Sequence, residues 1–281
     1  MMKSKNKSTT TRAVIVSLGS IGAAGIFVAS TQSWPIVLAV AVAAPLAIIL
    51  VSHRKKRPVQ WKGTGRRDGE REDDYYLIVL GSGGHTKEML MMMDDGTSDF
   101  AGLHRRYVVS SGDSTSLHQV EDYEADLRSL CGEVSTDPGS YDVRVVTRAR
   151  RVRQPFLTAP VTALASLRDV IFSVLLSPPE SRKSSSSSLR YPRIVLSNGP
   201  ATGFLVGLAV HMLKMVGVLG RDACFFVYIE SWARISSLSL TGKLFHYTGI
   251  ADALAVQHQA VADAYGLVNA GPMVFNSRRA V

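Results

Sequence analysis

Three short segments carry residue types that suit phosphate and sugar chemistry. The first is Gly81-Ser82-Gly83-Gly84-His85-Thr86, which follows an apolar run and opens a helical pattern. Glycines let backbone N–H groups approach an oxyanion, and a helix N-terminus adds a positive dipole. The loop is not a Walker A motif, because Thr86-Lys87 reverses the Lys-Ser/Thr order. It is a poor dinucleotide fingerprint too, since Thr86 replaces the third glycine. Taken alone, it reads equally as a tight structural turn. His85 at the helix start is a candidate general base, because a positive dipole disfavours the charged ring and leaves a neutral imidazole. A histidine that only holds the loop's shape is the alternative.

The second segment is Ser197-Asn198-Gly199-Pro200-Ala201-Thr202-Gly203, again between a strand pattern and a helix pattern. Asn198 suits a cap or a sugar hydroxyl, and Gly203 permits close approach; a plain turn is the alternative. The third is Glu230-Ser231-Trp232-Ala233-Arg234, after an apolar strand. A carboxylate at a strand's carboxyl end is placed for acid–base work or for orienting a sugar. A Glu230–Arg234 ion pair is the competing reading. Arg144, Arg148, Arg150, Arg151 and Arg153 add a basic cluster suited to a lipid diphosphate or anionic headgroups, or else a solvated loop. No histidine or cysteine spacing suggests a metal site, so none is expected.

These segments need a frame. Strand patterns fall at 75–80, 107–110, 143–146, 193–196, 224–229 and 253–256. Helical patterns fall at 85–93, 114–131, 160–176, 202–218 and 238–247. Strands alternating with helices predict an α/β domain with a mostly parallel sheet. In such sheets ligands bind at the carboxyl ends of the strands, where all three segments lie. Residues 184–188 are a serine run, read as a surface loop expansion.

Charge and hydropathy say where this domain sits. The chain of 281 residues has a formal charge of +9 and only two cysteines, which excludes a disulfide scaffold. Its 46% hydrophobic content excludes wholesale disorder. Residues 1–74 hold 12 Lys+Arg and 5 Asp+Glu, whereas residues 75–281 hold 20 and 18. The excess flanks residues 13–52, which contain no charged side chain. That is a membrane pattern with basic anchors, not a nucleic-acid surface. Forty residues of helix would cover about 60 Å against a hydrocarbon core of roughly 30 Å. The break at Ser30-Thr31-Gln32-Ser33-Trp34-Pro35 gives a hairpin with spans at 13–29 and 36–51, or a single span at 36–51. A cleaved signal is the alternative. The organisation is then a membrane anchor over 1–53, a basic linker over 54–74, an α/β domain over 75–275 and a tail over 276–281.

The motifs also resemble one family. They are Leu80-Gly81-Ser82-Gly83-Gly84-His85-Thr86-Lys87-Glu88-Met89-Leu90, Thr147-Arg148-Ala149-Arg150, Ser197-Asn198-Gly199-Pro200, Tyr228-Ile229-Glu230-Ser231-Trp232-Ala233-Arg234, Leu238-Ser239-Leu240-Thr241-Gly242-Lys243-Leu244, and Ala251-Asp252 with Val256-Gln257. In this order they resemble the membrane-anchoring subunits of the eukaryotic UDP-N-acetylglucosamine transferase of N-glycan precursor assembly. The resemblance covers about 75–275. It implies a Rossmann-like, acceptor-side half of a split GT-B glycosyltransferase, inactive alone. A donor-binding partner subunit would hold UDP-GlcNAc, with no cofactor needed here. It implies the endoplasmic reticulum membrane or nuclear envelope, with the domain on the cytosolic face, and dolichyl-diphosphate-GlcNAc as acceptor of a second GlcNAc.

By motif, Gly81, Ser82, Gly83, Gly84, Thr86, Asn198, Gly199, Thr202 and Gly203 would cradle the acceptor, with Arg148, Arg150, Ser231 and Arg234 nearby. Glu230 would orient the acceptor sugar and His85 would be the base. The chain departs from the family pattern in its serine run, in its two apolar segments where one is usual, and at His258, where an aromatic residue is common. A pure membrane scaffold without site residues is the alternative function. A nucleotide oxidoreductase built on Gly81-Ser82-Gly83 and Asp113 is a third reading.

Overall fold

The computed structural model describes residues 74–93, 100–149, 154, 158–179 and 190–273. The candidate spans, residues 54–73 of the linker, the serine run and the tail lie outside the described residues. Among the described residues no helix is long and apolar enough to cross a membrane.

Among the described residues, seven parallel strands form one sheet. In chain order they are β1 (Asp74–Val79), β2 (Leu103–Ser110), β3 (Ser140–Val146), β4 (Ile194–Ser197), β5 (Phe225–Ile229), β6 (Ala253–Val256) and β7 (Val268–Asn269). Their spatial order is β3-β2-β1-β4-β5-β6-β7. The helices between them are α1 (Gly84–Met93), α2 (Ser114–Glu133), α3 (Ala159–Asp169), α4 (Thr202–Met215), α5 (Leu240–Thr248) and α6 (Gln259–Tyr265). The fold is therefore a Rossmann-like α/β layer structure. The strand order reverses between β1 and β4, which makes the loops after those two strands the crevice where such folds bind ligands.

The pleat of β1 explains the layering. Leu77 and Val79 pack with α4 residues Val206, Ala209 and Leu213, while Ile78 and Leu80 pack with Met89, Leu90 and Val120 of α1 and α2. Leu77, Ile78 and Val79 of β1 and Leu80 just after it are all buried, as a strand covered on both faces requires. On the α4 side, Phe204, Phe226 and Tyr228 surround Phe245 of α5, with ring centroids at 5.4, 5.2 and 4.7 Å.

Four features differ from the expectation. First, β1 opens at Asp74, which the linker reading had included; Arg193 holds both its carboxylate oxygens, at 2.8 and 2.9 Å. Second, β2 begins at Leu103, so His104, Arg105 and Arg106 lie inside the strand and are fully buried. Arg105 grips Glu124 of α2 through two 2.8 Å bonds, and Tyr107 donates to the same carboxylate at 2.6 Å. Arg106 grips Asp142 of β3 at 2.8 and 2.6 Å, and donates to the carbonyls of Val174, Ser177 and Pro178. Both guanidiniums thus find bidentate partners, the condition under which a buried charge is tolerated. Third, the helix expected over 160–176 changes character. It is α-helical to Asp169 and π-helical over Val170–Leu175, with the Leu176 amide reaching back to the Ile171 carbonyl at 3.0 Å. Arg106 supplies donors to the free carbonyls where this segment ends. The last elements, α6 and β7, were not expected; they are short, at seven and two residues.

Candidate functional site

The loops after β1 and β4 meet at the crevice. Gly81 and Gly199 touch backbone to backbone: a Cβ on Gly199 would stand 2.6 Å from the Gly81 Cα, and one on Gly81 would stand 2.6 Å from the His85 Cβ. Only glycine fits this approach. Asn198, fully buried, ties the two loops by donating from Nδ2 to the His85 carbonyl at 2.9 Å. Thr86 turns inward, donating to the Gly81 carbonyl and meeting Ser116 Oγ at 2.7 Å. Ser116 in turn donates to Asp113, the N-cap of α2, at 2.8 Å. The glycine loop is fixed from below while Ser82 and Gly84 stay exposed.

Beside this loop lies a cleft of about 410 Å³, lined by Gly84, His85, Lys87, Glu88, Met91, Ser231, Trp232 and Ala233. The wall formed by β5's loop is held by Glu88. Its carboxylate accepts from Ser231 Oγ at 2.9 Å, from the Trp232 amide at 2.5 Å and from Gln257 Nε2 at 3.0 Å. His85 Nδ1 lies 3.7 Å from Glu88 Oε2. Burial works to raise the Glu88 pKa, but His85, the Trp232 amide, Ser231 and Gln257 outweigh it and hold the carboxyl below its ordinary value. His258 stacks on Trp232 with centroids 4.3 Å apart, and its Nε2 donates to the Trp232 carbonyl at 2.7 Å. In this chain His258 thus provides the flat partner expected of an aromatic residue.

Glu230 is placed differently from His85. It is 1% exposed and faces into the fold. One oxygen accepts from the Ser231 amide at 3.2 Å; the other accepts from the Ser239 amide and hydroxyl at 3.0 and 3.1 Å. Ser239 is the N-cap of α5, its Oγ accepting from the Gly242 amide at 2.9 Å. Glu230 therefore organises the start of α5 and the loop that precedes it. Arg234 is exposed on that loop.

Gly84, His85 and Ser231 thus share the cleft, and Gly81, Thr86, Asn198 and Gly199 form its buried support. Thr202 is buried in the first turn of α4, 2.9 Å from Ser110 at the end of β2, and Gly203 packs against Ser197. Arg148 follows β3, its amide donating to Ser111 Oγ at 3.1 Å. Arg150 lies outside the described residues. Glu88 and Gln257 hold the wall of the cleft, and motif reading assigns them no role. Local spacing carries no signal of the Glu88 bonds, because its partners Ser231, Trp232 and Gln257 are 143 to 169 residues away along the chain.

Residues 76–270 match the family model described as "Oligosaccharide biosynthesis protein Alg14 like". The chain belongs to the Alg14-like family. Relatives bear this out. The human "UDP-N-acetylglucosamine transferase subunit ALG14" is 32% identical over 200 residues, covering 69% of this chain and 80% of its own length. The protein of that name from Cryptococcus neoformans is 32% identical over 203 residues, covering 70% and 79%. The mouse protein of that name is 31% identical over 195 residues, covering 69% and 80%. The Alg14-like match spans the glycine loops, the cleft and its Glu88 support.

Proposed function

We propose that this chain is the non-autonomous, acceptor-side subunit of a UDP-N-acetylglucosamine transferase. It holds dolichyl-diphosphate-GlcNAc and recruits the donor-binding subunit to the cytosolic face of the endoplasmic reticulum. The observation that carries this reading is the pair of glycine loops packed at the strand-order reversal, with His85 opening into the cleft beside them. The first-turn amides of α1 have no intrahelical acceptors and favour an anionic group such as a diphosphate. Arg148 adds positive charge at the end of β3.

In the reaction, His85 accepts the proton of the acceptor hydroxyl. The freed oxygen attacks the anomeric carbon of UDP-GlcNAc, which the partner holds. A new C–O bond forms as the bond to the diphosphate breaks, UDP leaves with the electron pair, and the configuration inverts. Glu230 acts by setting the loop that carries Ser231 and Trp232. The basic flanks of residues 13–52 support the anchor and the cytosolic side. A scaffold without site residues is the second reading, favoured by the engagement of Glu230 and Asn198 within the fold.

The test is reconstitution in dolichol-containing membranes with and without the partner. GlcNAc transfer is expected only with both chains; transfer by this chain alone overturns the split enzyme. His85→Ala is expected to bind partner normally and lose transfer, whereas full transfer favours the scaffold.

A further inference from the structure

We infer that Glu88 is the positioning residue for His85, orienting the ring so that Nδ1 faces the carboxylate and Nε2 faces the cleft. The inference rests on the reading of His85 as the base. The geometry is specific. Glu88 is 9% exposed and sits one helical turn after His85 on α1. Its carboxylate is immobilised by three donors from two other loops. His85 Nδ1 is buried and makes no hydrogen bond among the described residues, while a third of the side chain, 34%, remains exposed. At 3.7 Å from Glu88, Nδ1 needs only a small ring rotation to donate to Oε2. Such bonds are commonly long in unliganded sites and tighten when substrate arrives.

A carboxylate behind a histidine fixes the tautomer and favours the proton the ring takes up. Here it would leave Nε2 without a proton and able to accept one. Ser231 and Trp232 hold the carboxylate and also line the cleft, so a ligand displacing that wall would move Glu88 and His85 together. The structure thus couples acceptor seating to alignment of the base.

Among the described residues the charged groups around His85 are few. Lys87 and Glu88 lie on α1, and Glu230 and Arg234 on the loop after β5. His258 follows β6, and Asp113 lies behind Thr86 through Ser116. Glu230 is directed to Ser239 and Arg234 is exposed, which leaves Glu88 as the nearest anionic neighbour of Nδ1 among the described residues.

The experiment uses the full complex in dolichol-containing membranes, with kcat, acceptor KM and the pH profile measured for Glu88→Gln, His85→Ala and the double variant. Glu88→Gln is expected to lower kcat on the order of tenfold or more with little change in KM. Removing the negative charge makes the ring harder to protonate, so the acid limb of the profile moves to lower pH. In the His85→Ala background the same change is expected to cost little more, because both act through one group. An unmoved acid limb, or a full additional loss in the double variant, overturns the positioning role. Full activity of His85→Ala overturns the base reading itself, a separate outcome. Should Glu88→Gln fail to fold, Gln257→Met removes one anchor of the carboxylate without touching the cleft. It is expected to lower kcat at constant KM, and wild-type kcat overturns the inference.

Discussion

Gly81 and Gly199 lie so close that a methyl group on either would run into backbone or into the His85 side chain. This contact joins the two loops flanking the strand-order reversal, and it sets how near any ligand-facing amide of one loop stands to the other.

Gly199→Ala should therefore destabilise the domain by about 1–3 kcal/mol, the usual cost of forcing atoms into a packed site. Gly83 has φ +61° and open space around it, so Gly83→Ala should cost about 1 kcal/mol from backbone strain alone. Gly84 has neither restriction, and Gly84→Ala should retain the wild-type unfolding midpoint. Urea unfolding of the three variants orders them, and a midpoint for Gly199→Ala equal to wild type would show that the loops separate freely.

Glu230→Ala should lower stability by about 3 kcal/mol, since it leaves the Ser239 amide and hydroxyl without their carboxylate. Ser239→Ala should cost about 1 kcal/mol, the ordinary worth of an N-cap. Thermal unfolding with a parallel transferase assay separates two roles. An unchanged midpoint with lost transfer would mean that Glu230 acts on the acceptor rather than on α5.

The two arginines of β2 offer a sharper contrast. Arg106→Met removes the bidentate donor of Asp142, which retains His104 and Arg144 at 3.6 and 3.8 Å, and the donor to the carbonyls of Val174, Ser177 and Pro178, and should cost about 3–5 kcal/mol. Replacing Arg106 and Asp142 together by apolar residues should recover much of that loss. A double variant as unstable as the single one would count against this account.

Acid should weaken the fold through two carboxylates. For Asp142, burial works to raise the pKa, but Arg106 and His104 hold it well below its ordinary value; Glu88 is lowered as well. Both are depressed in the folded state. Their stabilisation is fully present above the unfolded values of about 3.9 and about 4.3, and is lost as pH falls through the lower folded values. The urea midpoint should drop steeply below about pH 4. Asp142→Asn should flatten that drop; an equally steep fall in this variant would place the acid sensitivity elsewhere.

Much of the frame was legible because burial writes itself into residue type. Leu77-Ile78-Val79-Leu80 announced a strand covered on both faces, and β6 was found at its observed bounds. The chemistry-bearing loops were legible because glycine, asparagine and a carboxylate follow strands at their carboxyl ends. The start of β2 was not, because His104-Arg105-Arg106 reads as solvent-facing until Glu124 and Asp142 are seen across the fold. Glu88 stayed hidden for the same reason. On a helix it looks like an exposed charge, and its burial depends on residues from two later loops. The π-helical turn of Val170–Leu175 has no local sequence signature distinct from an apolar helix. Glu230 was located correctly as a loop carboxylate, but the direction of its side chain is set by Ser239, which sequence spacing does not convey.

Glu88 also carries a consequence for how the protein comes into being. Its partners Ser231, Trp232 and Gln257 are synthesised long after it, in the loops after β5 and β6. A nascent chain that has made β1 through β4 therefore holds a carboxylate with nowhere to pair, and burying it in that state is unfavourable. The carboxylate completes its bonds only when the loops after β5 and β6 are in place. The wall of the cleft and the carboxylate that holds it are thus completed together, late in the order of the chain.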